Sequence, residues 1–137
     1  MTTIYETIYK KLLKLAPNLW MMEPGEASKS KLSAPMMDLN LDVLSKRDNY
    51  MIIVLSHYYE QNGDIVPDPD MEIRVYQQGV AEALAYQDAF GYSRVYAEDE
   101  NRFYLKRKKV QNSFLNKWLS CVFFKNITWC RTNKNWR

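Results

Sequence analysis

The apolar residues near the start of the chain recur at three- and four-residue steps, which is the period of an amphipathic helix. The residues on the shared face are Ile4, Ile8, Leu12 and Leu15. Thr3 and Glu6 have the spacing of a capping box, in which each side chain satisfies a backbone N–H at the helix start. Pro17 ends the pattern because a proline disrupts the helical hydrogen bonds. The sequence therefore predicts a helix over residues 3–16.

Further along the chain the period changes to two, which is typical of β-strands. Apolar residues alternate with Asp and Asn in MMDLNLDVL, whereas YMIIVLSHYYE is apolar at consecutive positions and predicts a central strand. MEIRVY alternates again, with Met71, Ile73 and Val75 inward. VAEALAYQD favours helix by composition, but its shortness and the preceding Gln-Gln-Gly turn favour a fourth strand. YSRVY predicts a short fifth strand.

Turn-forming residues and a second helical pattern complete the chain. The polar Pro, Gly and Ser residues of positions 23–35 predict a mobile connection. QNGDIVPDPD predicts a long hairpin loop with Asn62 and Gly63 as its turn. Apolar residues at helical spacing from about Val110 to Phe124 predict a helix that packs on the sheet.

These elements predict an α+β fold, in which an antiparallel sheet of four to five strands is covered by N-terminal and C-terminal helices. A length of 137 residues is typical of one domain. We expect that domain to span residues 1–124, with a basic, aromatic C-terminal tail at residues 125–137.

The composition predicts a cytoplasmic protein. The N-terminal segment lacks the uninterrupted apolar core of a signal peptide. Two cysteines make neither a disulfide framework nor a zinc quartet. No apolar run approaches the ~20 residues of a membrane span, so we expect no membrane association.

Charge is divided unevenly along the chain. Residues 1–100 carry nine Lys and Arg against sixteen Asp and Glu, whereas residues 101–137 carry ten Lys and Arg and no acid. Such a split can indicate a nucleic-acid surface, a contact between copies of the chain, or two ends of one fold that attract each other.

Several blocks of the chain resemble a known family. MDLNLDVL, LSHYYEQNGDIVPDPDMEIRVY, AEALAYQD and VQNSFLNKWL are similar to DUF6908, a domain of unknown function, over roughly residues 5–119. MEIRVYQQGVAEALAYQ and FLNKWL carry a weaker similarity to the enterobacterial YqiB-like family. The resemblance implies an accessory protein of bacteria, phages or other mobile genetic elements, with no activity to transfer. SCVFFKNITWCRTNKNWR departs from the family, whose last helix continues in polar, glycine-containing sequence.

The only histidine, His57, is the first candidate for chemistry. Histidine suits a general base or a metal ligand because its ordinary pKa lies near neutrality. Ser56 cannot be its nucleophile on a strand, since neighbouring side chains point to opposite faces. One histidine also excludes the His-Glu-x-x-His zinc hydrolases. We favour the plainer interpretation, a polar strand end hydrogen-bonded to Tyr or Asp, and assign no catalytic residue.

The acidic residues of the hairpin form a second candidate. The carboxylates of Asp64, Asp68, Asp70 and Glu72 could gather a hard cation such as Ca²⁺ or Mg²⁺. Prolines stiffen this segment, however, and Asp residues commonly cap turns. We favour a solvated hairpin and expect neither a metal nor a cofactor.

The polar face of the predicted sheet is the site that we prefer. Neighbouring strands lie ~4.8 Å apart, so outward acids, amides and an arginine can form one cluster. With the HYYEQNGD hairpin, the predicted ligand-binding residues are Asp38, Asn40, His57, Tyr58, Asp70, Glu72, Arg74, Glu82 and Gln87. An ordinary solvated face with ion pairs is the alternative. The preferred interpretation is a non-enzymatic binding or interaction module with a protein partner or self-association.

The segment RFYLKRKK supports another function. Its cations could neutralise phosphates while aromatic rings stack on bases. The residues concerned are Arg102, Lys106, Arg107, Lys108 and Lys109. No helix-turn-helix, ribonucleoprotein or zinc-finger signature accompanies them. The runner-up is therefore a nucleic-acid-associated accessory protein, and a carboxylate-dependent hydrolase is a third interpretation.

Overall fold

The N-terminal helix lies within one residue of its predicted bounds at each end and has the predicted cap. The computed structural model describes residues 2–30 and 39–124. Helix α1 (Ile4–Leu15) begins after Thr3, whose hydroxyl accepts a hydrogen bond from the Glu6 N–H at 3.2 Å. The Glu6 carboxylate accepts one in return from the Thr3 N–H at 3.5 Å. The predicted helix and capping box are confirmed.

Six strands and a second helix follow in chain order. The strands are β1 (Ala27–Ser30), β2 (Leu39–Lys46), β3 (Tyr50–Gln61), β4 (Asp64–Tyr76), β5 (Val80–Asp88) and β6 (Gly91–Arg94). They form one sheet in the order of the sequence, with every neighbouring pair antiparallel. Helix α2 (Leu105–Phe124) then packs against α1 and β5. The predicted α+β class is confirmed, as are the strand at Val80–Asp88 and the short strand after it.

The first strand, β1, was predicted to be part of a connection. It pairs with β2 from Ala27 opposite Asp42 to Ser30 opposite Leu39. Strand pairing uses backbone groups and does not require apolar side chains. The polar sequence of β1 therefore has no alternation of apolar residues that would predict a strand. The sheet therefore has one strand more than the pattern of apolar residues indicates.

The prediction of a long hairpin loop is wrong, whereas the predicted turn at Asn62 and Gly63 is confirmed. β3 continues to Gln61 and β4 starts at Asp64, so Asn62 and Gly63 alone form the turn. Their φ angles of 52° and 86° are those that a tight type I′ turn requires. Pro69 does not interrupt β4, because it lies where the pairing with β3 is irregular, and Pro67 is accommodated in register opposite Tyr58. Prolines are tolerated at such bulges, where no ladder hydrogen bond is lost.

Two helices cover one face of the sheet. Ile53, Ile73 and Ala83 lie in one cross-strand row of this face and are fully buried. Leu12 of α1 and Leu119 of α2 are buried against them in the same core. Alternate residues of each strand point away from the helices, and we call the face that they form the outer face.

Helix α2 begins at Leu105, five residues before the predicted start at Val110. Its first turn is exposed and, apart from Leu105, basic. No run of apolar residues at helical spacing therefore predicts where the helix starts. The side chain of Asn112 joins the helix to β5, because its Oδ1 accepts a hydrogen bond from the Ala83 N–H at 2.8 Å. Within the described ranges, neither helix combines the length and apolar character needed to cross a membrane.

Candidate binding site on the outer sheet face

Arg74 lies at the centre of the outer face, in β4 and directly opposite Glu82 of β5. Its Nη2 donates a hydrogen bond to the Glu100 carboxylate at 2.7 Å, and its Nη1 donates one to the Tyr76 hydroxyl at 3.3 Å. Burial by itself would lower the pKa of Arg74, but the bonds to Tyr76 and Glu100 outweigh it and raise that pKa. Arg74 is therefore a positioned cation.

Two tyrosine rings flank this guanidinium. The Arg74 Cζ lies 5.4 Å from the ring centroid of Tyr50 and 6.0 Å from that of Tyr96. Both distances are within the ~6 Å range of cation–π attraction. Arg74 is thus held by rings as well as by hydrogen bonds.

Glu82 connects two hydroxyl groups of the same face. Its carboxylate accepts a hydrogen bond from the Tyr76 hydroxyl at 2.5 Å and another from the Tyr96 hydroxyl. Burial first, and then the bond to Glu82, raises the pKa of both tyrosines. They remain protonated donors at neutral pH, and the network runs unbroken from Glu100 through Arg74 to Tyr96.

A pocket of about 360 Å³ lies beside this network. Its lining combines aliphatic, aromatic and charged side chains, among them Tyr50, Ile52, Glu72, Arg74, Arg94 and Tyr96. The volume falls in the range of small-ligand sites, ≈ 300–1,000 Å³. Such a lining can bind a group that carries both charges.

Glu72 and Arg94 are the unpaired charges of this pocket. They lie in one cross-strand row, on either side of Ala85. Neither side chain forms an ion pair within the described part of the chain. Arg94 is exposed and Glu72 is half-buried, so a ligand or partner can reach both charges on the outer face.

The predicted ligand-binding residues fall into separate groups. Glu72 and Arg74 line the pocket, and Glu82 lies directly opposite Arg74 on the same face, as the alternation of the strands indicated. Asn40, Asp70 and Gln87 share another cross-strand row with Ser56. Asp70 and Arg74 are four positions apart along β4, which is about 13 Å at ~3.3 Å per residue. The row is therefore not in contact with the Arg74 network. Asp38 and the side chain of Tyr58 lie outside the described part of the structure.

His57 lies on the opposite face of the sheet. It is 6% exposed, and its ring meets that of Trp118 edge to face at a centroid distance of 5.2 Å. It is therefore covered by α2 and separated by the sheet from Glu72 and Arg74. Among the side chains that the structure describes, no three His, Cys, Asp or Glu residues are grouped as metal ligands.

Tyr96, Glu100 and Arg94 were missed as site residues. The segment after β6 folds back so that Tyr96 pairs with Phe103 in an isolated bridge. This turn brings Glu100, which has a φ of 57°, onto the sheet. An acidic turn is visible in the sequence, but nothing in the local pattern indicates that it returns to Arg74.

The basic residues before and within the first turn of α2 differ in their surroundings. The Lys108 Nζ lies 4.5 Å from the Phe103 ring centroid and 5.6 Å from that of Tyr5, so this lysine contributes to packing. The remaining predicted nucleic-acid-binding residues are exposed, namely Arg102, Lys106, Arg107 and Lys109. The tail at residues 125–137 lies outside the described residues, and the domain boundary at residue 124 stays a prediction.

Comparison with known proteins identifies the family of the chain. The model of the DUF6908 family, described as a domain of unknown function, matches residues 7–124. No curated protein and no solved structure matches the chain. The predicted resemblance to DUF6908 is confirmed, and the weaker one to the YqiB-like family stays a prediction.

Proposed function

Since the chain belongs to the DUF6908 family, whose description assigns no activity, we propose from its geometry that it is a non-enzymatic interaction module. Its contact surface is the outer face around Arg74. The observation that carries the proposal is the row Glu72–Ala85–Arg94, which presents two opposite charges without ion-pair partners among the described residues.

Charge complementarity supports a polypeptide as the occupant. A partner that presents a cation to Glu72 and a carboxylate to Arg94 neutralises both. The neighbouring cation, Arg74, is already bonded to Tyr76 and Glu100, so binding costs little reordering there. Exposed Leu44 at the rim of the pocket adds apolar surface to the contact.

The occupant that best fits this pattern is a second copy of the chain. A two-fold axis can lie in the contact plane, parallel to β5 and above Ala85. Rotation about this axis sets Glu72 of one copy against Arg94 of the other. The same operation sets Arg94 against the other Glu72, so one interface contains the pair twice. The row is therefore self-complementary.

Reversal of the two charges tests this contact. Glu72→Arg and Arg94→Glu should each weaken dimerisation at least about tenfold, because like charges then meet at both symmetry-related positions. The double variant should restore the dimer, since the complementary pair is rebuilt in reversed order. Sedimentation equilibrium over a range of protein concentrations measures the dissociation constants.

Lys117→Glu is the matched control, because Lys117 is exposed on α2 and lies away from the outer face. It should leave dimerisation unchanged. A wild-type chain that remains monomeric, or single variants that dimerise as well as the double variant, would refute self-association. A different protein that binds wild type and the control but not Glu72→Arg would identify another occupant of the same face.

The setting of this module is part of the proposal. The resemblance to DUF6908 supports an accessory role in a bacterium, a phage or another mobile genetic element. A cytoplasmic location belongs to the same proposal. A carboxylate-dependent hydrolase stays a prediction, for which Glu72→Gln should abolish an activity without unfolding the chain.

The exposed basic residues Arg102, Lys106, Arg107 and Lys109 favour a second candidate, a nucleic-acid-associated accessory protein. Three of them belong to α2, whose first turn contains no acid. The helix dipole places further positive charge at the same end. Affinity for single-stranded DNA should fall log-linearly with salt, and salt-independent affinity would count against this function.

A further inference from the structure

A second pocket, of about 490 Å³, lies between the β5–β6 hairpin and the first two turns of α2. It is separate from the outer-face pocket and shares no lining residue with it. Its lining includes Asp88 and Phe90 of the hairpin region and Lys106, Arg107 and Gln111 of the helix. The two ends of this pocket differ in chemistry.

Gln111 lines the pocket and carries a buried acceptor. The residue is 3% exposed, and its Nε2 donates a hydrogen bond to the Ser93 carbonyl at 3.0 Å. That bond sets the orientation of the amide, because the Oε1 could not donate to a carbonyl. The Oε1 accepts no hydrogen bond from the described residues. A buried oxygen in this state favours a ligand that brings an N–H donor.

Asp88 adds acceptor character to the same wall. Its Oδ2 accepts a hydrogen bond from the Tyr86 hydroxyl at 2.9 Å, and its Oδ1 accepts one from the Phe90 N–H at 2.8 Å. Both oxygens of Asp88 are therefore acceptors on this wall. The inner part of the pocket favours a group that brings N–H donors.

The helix end of the pocket is positively charged. Lys106 and Arg107 are exposed there, in the first turn of α2. Arg107 is held in place, since its guanidinium lies 4.2 Å from the Tyr104 ring centroid and its Nη1 donates to the Arg94 carbonyl at 3.2 Å. Arginine has five N–H donors, so others remain for an anion. This end favours a phosphate group.

We propose that the pocket binds a nucleotide whose base carries an exocyclic amino group. The amino group donates to the Gln111 Oε1, and the phosphate lies against Lys106 and Arg107. Phe90, which is 84% exposed at the rim, offers a ring on which a base can stack. The proposal is independent of the outer-face contact, and it deepens the nucleic-acid candidate by adding a base-binding site.

Calorimetric titration of the full chain with AMP, CMP, GMP and UMP tests the base. The three amino-bearing nucleotides should bind about fivefold more tightly than UMP, which is the effect of one net hydrogen bond. This ranking uses the wild-type chain, so it does not depend on whether a variant folds. Equal affinity for all four nucleotides would overturn the proposal.

Two substitutions then separate base from phosphate. Gln111→Met should remove the preference over UMP, provided that circular dichroism shows a folded chain. Lys106→Gln should weaken the binding of all four nucleotides about equally. It should also reduce the slope of log affinity against log salt concentration for single-stranded DNA by about one. Lys117→Gln, an exposed lysine farther along the same helix, is the control that should change neither.

The outcomes for the pocket and for general nucleic-acid binding are distinguishable. Single-stranded DNA that binds with a salt slope but without base preference would refute the pocket and leave the electrostatic candidate standing. If neither mononucleotide nor DNA binds, both are refuted. Dimerisation of the Glu72 and Arg94 variants is measured separately, so neither result affects the outer-face proposal.

Discussion

Removing the side chain of Asn112 should destabilise the protein more than any other single polar truncation in α2. Asn112 is 2% exposed, and its Oδ1 is the acceptor for the Ala83 N–H at 2.8 Å. Its Nδ2 donates to the Lys108 carbonyl, also at 2.8 Å. Pairing between β4 and β5 is irregular beside Ala83. The Asn112 side chain therefore accepts the hydrogen bond of a backbone N–H next to a β-bulge.

The magnitude follows from the burial of these groups. Asn112→Ala leaves the Ala83 N–H without that acceptor in a buried site, which costs about 1–3 kcal/mol. The lost bond and the vacated volume add about 1 kcal/mol, so we expect a loss of about 2–4 kcal/mol in the free energy of unfolding. At about 3–4 °C per kcal/mol for a domain of this size, the melting temperature should fall by about 6–16 °C.

Asn116→Ala is the matched control on the same helix. The Asn116 Oδ1 accepts a hydrogen bond from the Lys11 Nζ at 2.7 Å, but that ammonium also donates to the Ser120 Oγ at 2.6 Å. Because Lys11 keeps other acceptors, this variant should lose less than about 1 kcal/mol. Urea unfolding of both variants gives the comparison. Equal losses would refute the assignment of the larger cost to the unsatisfied Ala83 N–H.

Three further predictions concern the sheet and the core. Burial raises the pKa of Tyr96 and Tyr76 in the folded chain, so the unfolded chain loses these protons first as pH rises. The free energy of unfolding should therefore be at its full value below about pH 10 and fall at higher pH. Unchanged urea midpoints between pH 9 and 11 would contradict this. Gly63→Ala should cost about 1 kcal/mol because Gly63 has a φ of 86°, and an unaltered thermal midpoint would argue against the strained turn. Leu119→Ala should cost about 2–5 kcal/mol, since Leu119 is fully buried; urea titration is the check, and a loss below 1 kcal/mol would show that the site collapses around the missing side chain.

Much of the fold follows from local patterns in the sequence. The cap at Thr3 and the stop at Pro17 determine α1, because both act on backbone groups within one turn. Alternation determines which strand residues face the helices, as for Ile73. The short connection from β4 to β5 then places Arg74 opposite Glu82. These features involve neighbours along the chain or across one turn, and therefore leave a local signal.

The tertiary structure alone decided the features that depend on distant segments. Glu100 reaches Arg74 because a turn folds back onto the sheet, and β1 forms because an edge of β2 is available to it. Bulges in β4 and β5 shift the register by one residue without interrupting the strands, so proline suggested a break where none occurs.

The candidate sites divide in the same way. Alternation placed Glu72 and Arg74 on one face, but only the sheet order sets Arg94 across Ala85 from Glu72. The pocket at Gln111 forms because α2 begins at Leu105 and packs beside β6. The basic first turn of α2 has no apolar periodicity, so the sequence does not predict this start. Local periodicity determines which way a side chain points, whereas the partner that it meets depends on contacts between segments far apart in the chain.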